Sequence, residues 1–559
     1  MKKKIMALFL SLALCASLLA ACGEKEKEKE GNGDADPGTE ESGDPVKLTV
    51  WVPDSTRIED WNTNEMTLWL EEQANVDLDI VVLSSDDYST KVNMALTAGK
   101  ISDLPDIILG SSNFSSSMVY DWAKAEAVLS LTDYYNDPDL AVNINEAIER
   151  TGVDYTKHIT SPDGNIYGIA SYNQSYGNEY PNKLWIYKPW LDALGKDVPT
   201  TTEEFYELLK LVSETDLNGN GKNDEIGMAG SSIGSTYGGY LITLMDAFAY
   251  AGDTNYLAVN DGVVSASYTT DEWKKGLEYT AKLFSEELIA TESLTMSSDE
   301  FSSLMNTDDQ VVFSFAYFTA NVVTVDSSRQ EGYVCIDTLT GPDGVNYAAL
   351  RPTTAGIKMV VTANCKNPEA AFRVGDLMSS EYIGIIQRWG KEGVTWDYAD
   401  KIDDPSKYAI AIEGFDPSII VYGGDAGFWS STEAVNYSWR QTGPYVRQYG
   451  ILCGMMDPVG EEGVAVGTQN LNAAYHLYQT SGHAPKEYID VLIYTDEETD
   501  AISEIESVLK SYVQEYWAGF VSGSKSIDAE WDNYLAELNK IGLEKYLEVV
   551  QTAYDRQNK

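Results

Sequence analysis

The ten residues from Asp216 to Glu225, DLNGNGKNDE, have the types and spacing most specific to one chemistry. Oxygen-bearing side chains alternate there, with Asp216, Asn218 and Asn220 at positions 1, 3 and 5 of a loop. Lys222, at position 7, offers its carbonyl, and Asp224 and Glu225, at positions 9 and 10, add charge. Gly221 stands where a calcium loop makes its sharp turn. A hard cation asks for six to eight oxygens from a tightly curled backbone, so this stretch is a candidate structural Ca2+ site. Position 12 of an EF-hand is a bidentate Glu; here it is Gly227, which leaves Glu225 to close the shell. The plainer alternative is a solvated Asn/Gly loop.

Other reactive residues are sparser. Gly230-Ser231-Ser232-Ile233-Gly234 fits G-x-S-x-G, but only His158, His476 and His483 exist, and nothing in the sequence sets one beside Ser232. No H-E-x-x-H, phosphate-binding loop or G-x-G-x-x-G occurs. Of the five cysteines, Cys15 lies in an apolar leader. Cys22 follows Leu-Leu-Ala-Ala, the small-residue pattern of a lipidation site. Cys335, Cys365 and Cys453 remain, enough for at most one disulfide and for no cysteine metal site.

The elements that must position these groups follow in chain order. Residues 1–21 read as a lipoprotein signal peptide, Lys2 to Lys4 followed by an apolar run too short to span a membrane comfortably. Residues 22–45 carry no large apolar side chain and read as a lipidated, disordered tether. Two chains or more on Cys22 suit stable anchoring at the outer face of the cytoplasmic membrane. The formal charge of −49 argues against nucleic acid and anionic lipid as electrostatic partners. From residue 46, strand and helix patterns alternate: LTVWV, a helix within 58–74, Asp79 to Leu83, a further helix, then Ile107 to Leu109. This alternation implies a parallel sheet whose ligand lies beyond the carboxyl ends of the strands. Asp54, Ser111, Ser112 and Asn113 fall there. Thr201 and Glu204 have capping-box spacing before a helix with Phe205, Leu208, Leu209 and Val212 at helical intervals. The last 60 or so residues read as amphipathic helices.

Three stretches carry a family likeness. W-I-Y-K-P-W-L-D-x-L-G, V-P-T-T-x-E-E-F-Y and D-x-N-G-N-G-K-x-D-E-I resemble the extracellular solute-binding proteins of ABC sugar importers, among them large Gram-positive lipoproteins related to alginate- and oligosaccharide-binding members. Asp163-Gly164-Asn165-Ile166-Tyr167-Gly168 resembles that family's hinge strand. The resemblance implies an α/β, periplasmic-binding-protein-like fold: two α/β lobes joined by a three-strand hinge, with added C-terminal helices. The expected first lobe is 46–168 with 353–422, and the second 169–352 with 423–559.

It also implies a monomeric, non-enzymatic receptor that takes an oligosaccharide between its lobes and passes it to permease subunits. Abundant Tyr (36) and Trp (13) fit the stacking of flat rings on sugar C–H faces. Tyr172 at the hinge, Tyr237 in an aromatic loop, Tyr317 where the family often places a stacking ring, and Trp439 at the third crossing are the expected aromatic contacts. Arg351 is the expected cation for an anionic sugar. The rival functions are a cell-surface glycoside hydrolase, whose two carboxylates need no sequence spacing, and a glycan adhesin or sensor.

Overall fold

The computed structural model describes residues 43–558 except 99, 176–178, 234–240, 253–254, 318, 321–323, 325, 403, 424–427, 429–430, 461–462, 465–469 and 471. Strand β1 (Val46–Pro53) alternates in burial, its Leu48, Val50 and Val52 turned into a core. It pairs in parallel with β2 (Val76–Leu83) and with β3 (Ile107–Phe114). The helix between the first two strands is shorter than its apolar pattern implies, Glu65–Ala74, because Asn64 caps it by accepting from Met66 N at 3.1 Å. Strand β4 (Ile169–Asn173) belongs to the same sheet, so the first crossing follows Asn173 rather than residue 168.

The second lobe begins with β5 (Leu184–Tyr187) and the helix Thr202–Ser213, whose capping box between Thr201 and Glu204 forms as its spacing implies. Phe205, Leu208, Leu209 and Val212 are buried by this helix. Strands β6 (Ile226–Met228), β7 (Val312–Ala316) and β8 (Tyr333–Ile336) complete a four-stranded sheet in the order β8-β5-β7-β6. The chain then returns to the first sheet as β9 (Gly356–Val361), antiparallel to both β3 and β4. With β10 (Val446–Arg447) parallel to β4, the first sheet runs β10-β4-β9-β3-β1-β2. The C-terminal helices Asp496–Val521, Ile527–Ile541 and Leu543–Gln557 lay Ile502, Leu509, Val513, Trp517, Tyr534 and Leu538 on the second-lobe core.

The boundary expected at residue 423 is corrected. Val435 bridges Ile58, and Trp439, Tyr445, Ile451, Cys453 and Met455 pack into the first-lobe core. Transfer to the second lobe comes at residues 474–478: Tyr475 still meets Phe415 of the first lobe at 5.5 Å, whereas Ala474 and Tyr478 join a second-lobe cluster. No local pattern marks this, since the contacts that recruit 435–455, such as Ile386 to Ser438 and Trp61 to Trp439, lie far away in the chain. Cys335, Cys365 and Cys453 are all buried free thiols. Among the described residues no helix is long and apolar enough to cross a membrane.

The candidate ligand cleft and oxygen-rich loop

Three crossings join the lobes, and the first two are bonded to each other. Arg351 N donates to the Glu179 carbonyl at 2.7 Å, and Thr353 Oγ1 donates to Glu179 Oε1 at 2.7 Å. Gln174 N donates to Arg447 O at 3.1 Å, and its side-chain oxygen accepts from Tyr449 N at 3.1 Å. His158 completes the set. Its Nδ1 accepts from Ala355 N at 3.0 Å, which puts its proton on Nε2, 3.1 Å from Asp490 Oδ2.

The carboxyl ends of the parallel strands form the first-lobe rim. Asp54 follows β1 and is exposed, as are Ser111, Ser112 and Asn113 at the end of β3. The pairing of β1 with β3 sets these ends side by side. Register between β3 and β9 shifts here, from Ile357 opposite Phe114 to Met359 opposite Leu109, so the 110–113 segment bulges outward. Gly356 permits the close approach, because a Cβ there would stand 2.1 Å from Asn113 Nδ2. Arg351 sits half-buried on the second crossing.

The aromatic contacts do not follow the sequence-based expectation. Trp439 is 0% exposed, its ring 5.7 Å from that of Trp61, and its Nε1 donates to Thr67 Oγ1 at 2.9 Å. A ring with no accessible face cannot stack on a sugar, so Trp439 is a first-lobe core residue. Tyr172, 3% exposed, stacks on Tyr155 at 5.1 Å inside the same lobe. Tyr317, 4% exposed, belongs to the second-lobe core, its backbone N bonded to Lys183 O. Tyr237 and Cys22 lie outside the described residues.

Three buried groups on or beside strands β9 and β10 were not anticipated. Lys358 is a lone cation in the apolar strand GIKMVV; its Nζ donates to Gln441 O at 2.9 Å and stands 4.9 Å from the Tyr445 ring. Burial, and then the neighbouring Arg447, pushes its amine down to about 8. Arg447 in turn lies 5.1 Å from the Tyr445 ring. A charge inside a hinge-strand pattern was the available signal for Lys358. Tyr445 and Arg447 offered none, because their strand is two residues long.

The oxygen-rich loop curls as its spacing implies. Asp216 accepts from Gly219 N at 2.8 Å and Gly221 N at 2.9 Å, and the two glycines take positive φ of 74° and 81°. Asn218 Oδ1 accepts from Asn220 N, and Asn220 Oδ1 from Lys222 N. Glu225 is 5% exposed; one carboxylate oxygen accepts from Leu217 N and Asn218 N at 2.6 and 2.9 Å, while Oε2 is buried with no partner among the described residues. Position 12 cannot carry a Glu: a Cβ on Gly227 would meet the Leu288 carbonyl at 2.7 Å, because β6 packs tightly there. Bonds from the Asn218 and Asn220 side chains hold the Asp224 carboxyl below its usual range. No three acidic, histidine or cysteine side chains converge among the described residues. The donor set is instead carboxylates diluted with amides and a carbonyl, a composition that fits Ca2+, and the orphaned Glu225 Oε2 is the buried oxygen such an ion would satisfy.

Among the described residues none of the three histidines bonds Ser232; His158 is held as above, His483 lies against Thr338 and Asn346 O, and His476 packs on Tyr475.

Residues 58–381 match the bacterial extracellular solute-binding protein family. A fructooligosaccharide ABC transporter substrate-binding protein of Streptococcus pneumoniae, FusA, is 27% identical over 505 residues, 87% of this chain and 86% of that one. A structure of the FusA EF-hand mutant with fructo-nystose has a TM-score of 0.66 at 23% identity, covering 92% of this chain and 99% of that one. A solute-binding protein from Bifidobacterium longum infantis, described as HMO-binding and ABC-transporter-associated, has a TM-score of 0.70 at 21% identity, covering 91% and 99%. These structural likenesses support the two-lobed fold.

Proposed function

This chain belongs to the bacterial extracellular solute-binding proteins, and on that premise we propose that it captures an oligosaccharide between its lobes and delivers it to the permease subunits of an ABC importer. The observation that supports the reading is the two-lobed fold, in which Asp54, Ser111, Ser112 and Asn113 stay exposed at the carboxyl ends of parallel strands. Polar side chains on such a rim bond hydroxyls, and closure is driven by contacts the ligand makes to both lobes at once. The protein acts as a monomeric receptor without catalysis of its own. Relatives whose names specify fructooligosaccharide or HMO binding supply the ligand class to try first. Calorimetric titration of residues 45–559 with kestose, longer fructooligosaccharides and milk oligosaccharides tests this. Saturable binding of at least one oligosaccharide, weakened by Asp54→Ala, is expected. Binding to none of them, or their cleavage, would reject the receptor reading.

Two further parts belong to the proposal. Cys22 carries the lipid that holds the receptor at the outer face of the membrane. Cys22→Ala is therefore expected to release the protein to the medium or leave its leader uncleaved; a membrane-bound variant with a normal mature amino terminus would contradict the anchor. Asp216, Asn218, Asn220, the Lys222 carbonyl, Asp224 and Glu225 hold one structural Ca2+. The ion supplies the counter-charge that satisfies Glu225 Oε2 and braces the junction between the helix Thr202–Ser213 and β6.

A further inference from the structure

We propose that Asp309, outside the oxygen-rich loop, is a positioning residue for the metal: it takes the outward N–H of Asn220 so that the amide oxygen faces the ion. The inference rests on the calcium reading above. An asparagine side chain has one oxygen and one NH2 group. When a cation takes the oxygen, the NH2 needs an acceptor elsewhere, and such outer partners orient the ligand.

In this structure the Asn220 Nδ2 donates to both Asp224 oxygens at 3.1 Å and to Asp309 Oδ2 at 3.1 Å. The Asn218 Nδ2 divides likewise between Asp224 Oδ1 at 3.0 Å and the Gln310 carbonyl at 3.1 Å. Asp224 is itself a ligand, so its oxygens turn to the ion once it binds. The acceptors on 309–310 then hold both amides. Among the described residues Asn218 Oδ1 and Asn220 Oδ1 each accept one backbone N–H, which leaves a lone pair for the metal. Glu225 Oε2, buried and unpartnered, independently marks the loop as built for a cation.

The turn that carries Asp309 is fixed before any ion arrives. Arg329 donates to Met305 O at 3.2 Å and Asp308 O at 2.7 Å, Thr307 Oγ1 donates to Asp309 O at 2.9 Å, and Gln310 Nε2 donates to Tyr333 Oη at 2.7 Å. Its two acceptors, Asp309 Oδ2 and the Gln310 carbonyl oxygen, therefore stand at a set distance from the loop, in a position no spacing rule within the loop would reveal.

The test is a Ca2+ titration of the tether-free protein, read by calorimetry and by melting temperature, for wild type, Asp309→Ala, Asp309→Asn and Asp308→Asn. Removing such an outer partner typically weakens metal binding by about 10–100-fold. Asp309→Ala is expected to lose affinity on that scale, with its melting temperature in chelator equal to that of wild type. Asp309→Asn keeps an acceptor and is expected to recover most of the loss. Asp308→Asn removes the same charge next door and is expected to bind near the wild-type level. Equal losses in Asp308→Asn and Asp309→Ala would reduce the effect to charge alone and overturn the positioning role. An unchanged Asp309→Ala titration, or a lower melting temperature in chelator, would overturn it as well while leaving calcium binding standing. A wild-type protein that takes up no Ca2+ would overturn the calcium reading together with this one.

Discussion

Trp439→Ala is expected to destabilise the first lobe by about 3–5 kcal/mol, the usual cost of truncating a buried Trp, rather than simply to weaken ligand binding. The indole fills a closed site: it meets Trp61, its N–H is accepted by Thr67 Oγ1, and that hydroxyl donates to Trp61 O at 2.6 Å. Truncation leaves a cavity and strands the Thr67 acceptor in one step. The chain beyond it is held by specific bonds as well. Arg440 and Gln441 both adopt left-handed backbone, with φ of 52° and 68°. Arg440 donates to the carbonyls of Phe428, Ser431 and Glu433, and Gln441 N donates to Gln387 Oε1 at 2.6 Å. Loss of the Trp439 anchor therefore frees a strained segment beside the cleft. Thermal and urea unfolding of the tether-free protein measure the effect. Asp54→Ala, at an exposed rim position, is the comparison: it is expected to change stability by no more than about 0.5 kcal/mol. A Trp439→Ala protein that melts with wild type but no longer binds saccharide would return this residue to the ligand site.

The second large effect is that of calcium. An ion bound only by the folded state raises stability by RT ln(1 + [L]/Kd), about 2.7 kcal/mol at a hundredfold excess over Kd. Chelation is expected to lower the melting temperature accordingly, and elemental analysis to find one Ca2+ per chain. Glu225→Gln separates the metal from the loop's own bonds. The amide keeps an oxygen for Leu217 N and Asn218 N but removes the charge whose second oxygen has no other partner. This variant is expected to melt alike with and without chelator. Asp216→Ala is expected to be less stable even in chelator, because it also releases Gly219 N and Gly221 N. A wild-type melting curve indifferent to chelator would reject the site.

What the sequence made legible was local. The Thr201–Glu204 box, the alternation of β1 and the oxygen spacing of 216–225 each depend on residues a few positions apart, and each appears in the structure where the pattern places it. The contacts that decide the rest are distant. Trp439 and Trp61 meet across most of the chain, so an aromatic near an expected crossing could not be told from a core residue. Tyr172 and Tyr317 lie on strands or strand ends whose burial depends on a second layer, Tyr155 in one case and the Trp185 cluster in the other. The same distance hides Asp309 from the loop it serves and the Leu288 carbonyl that keeps position 12 a glycine. Conversely the strand-end positions of Asp54 and Asn113 follow from the sequence alone, because the carboxyl ends of parallel strands share one edge whatever packs beneath.

Closure of the two lobes on an oligosaccharide is tested most directly by small-angle scattering of residues 45–559. The particle should be measured alone and with a saturating amount of the tightest-binding oligosaccharide. A smaller radius of gyration on binding is expected, with the sugar recovered intact. Tight binding with an unchanged scattering curve would contradict the hinge, and recovery of shorter products would contradict the receptor.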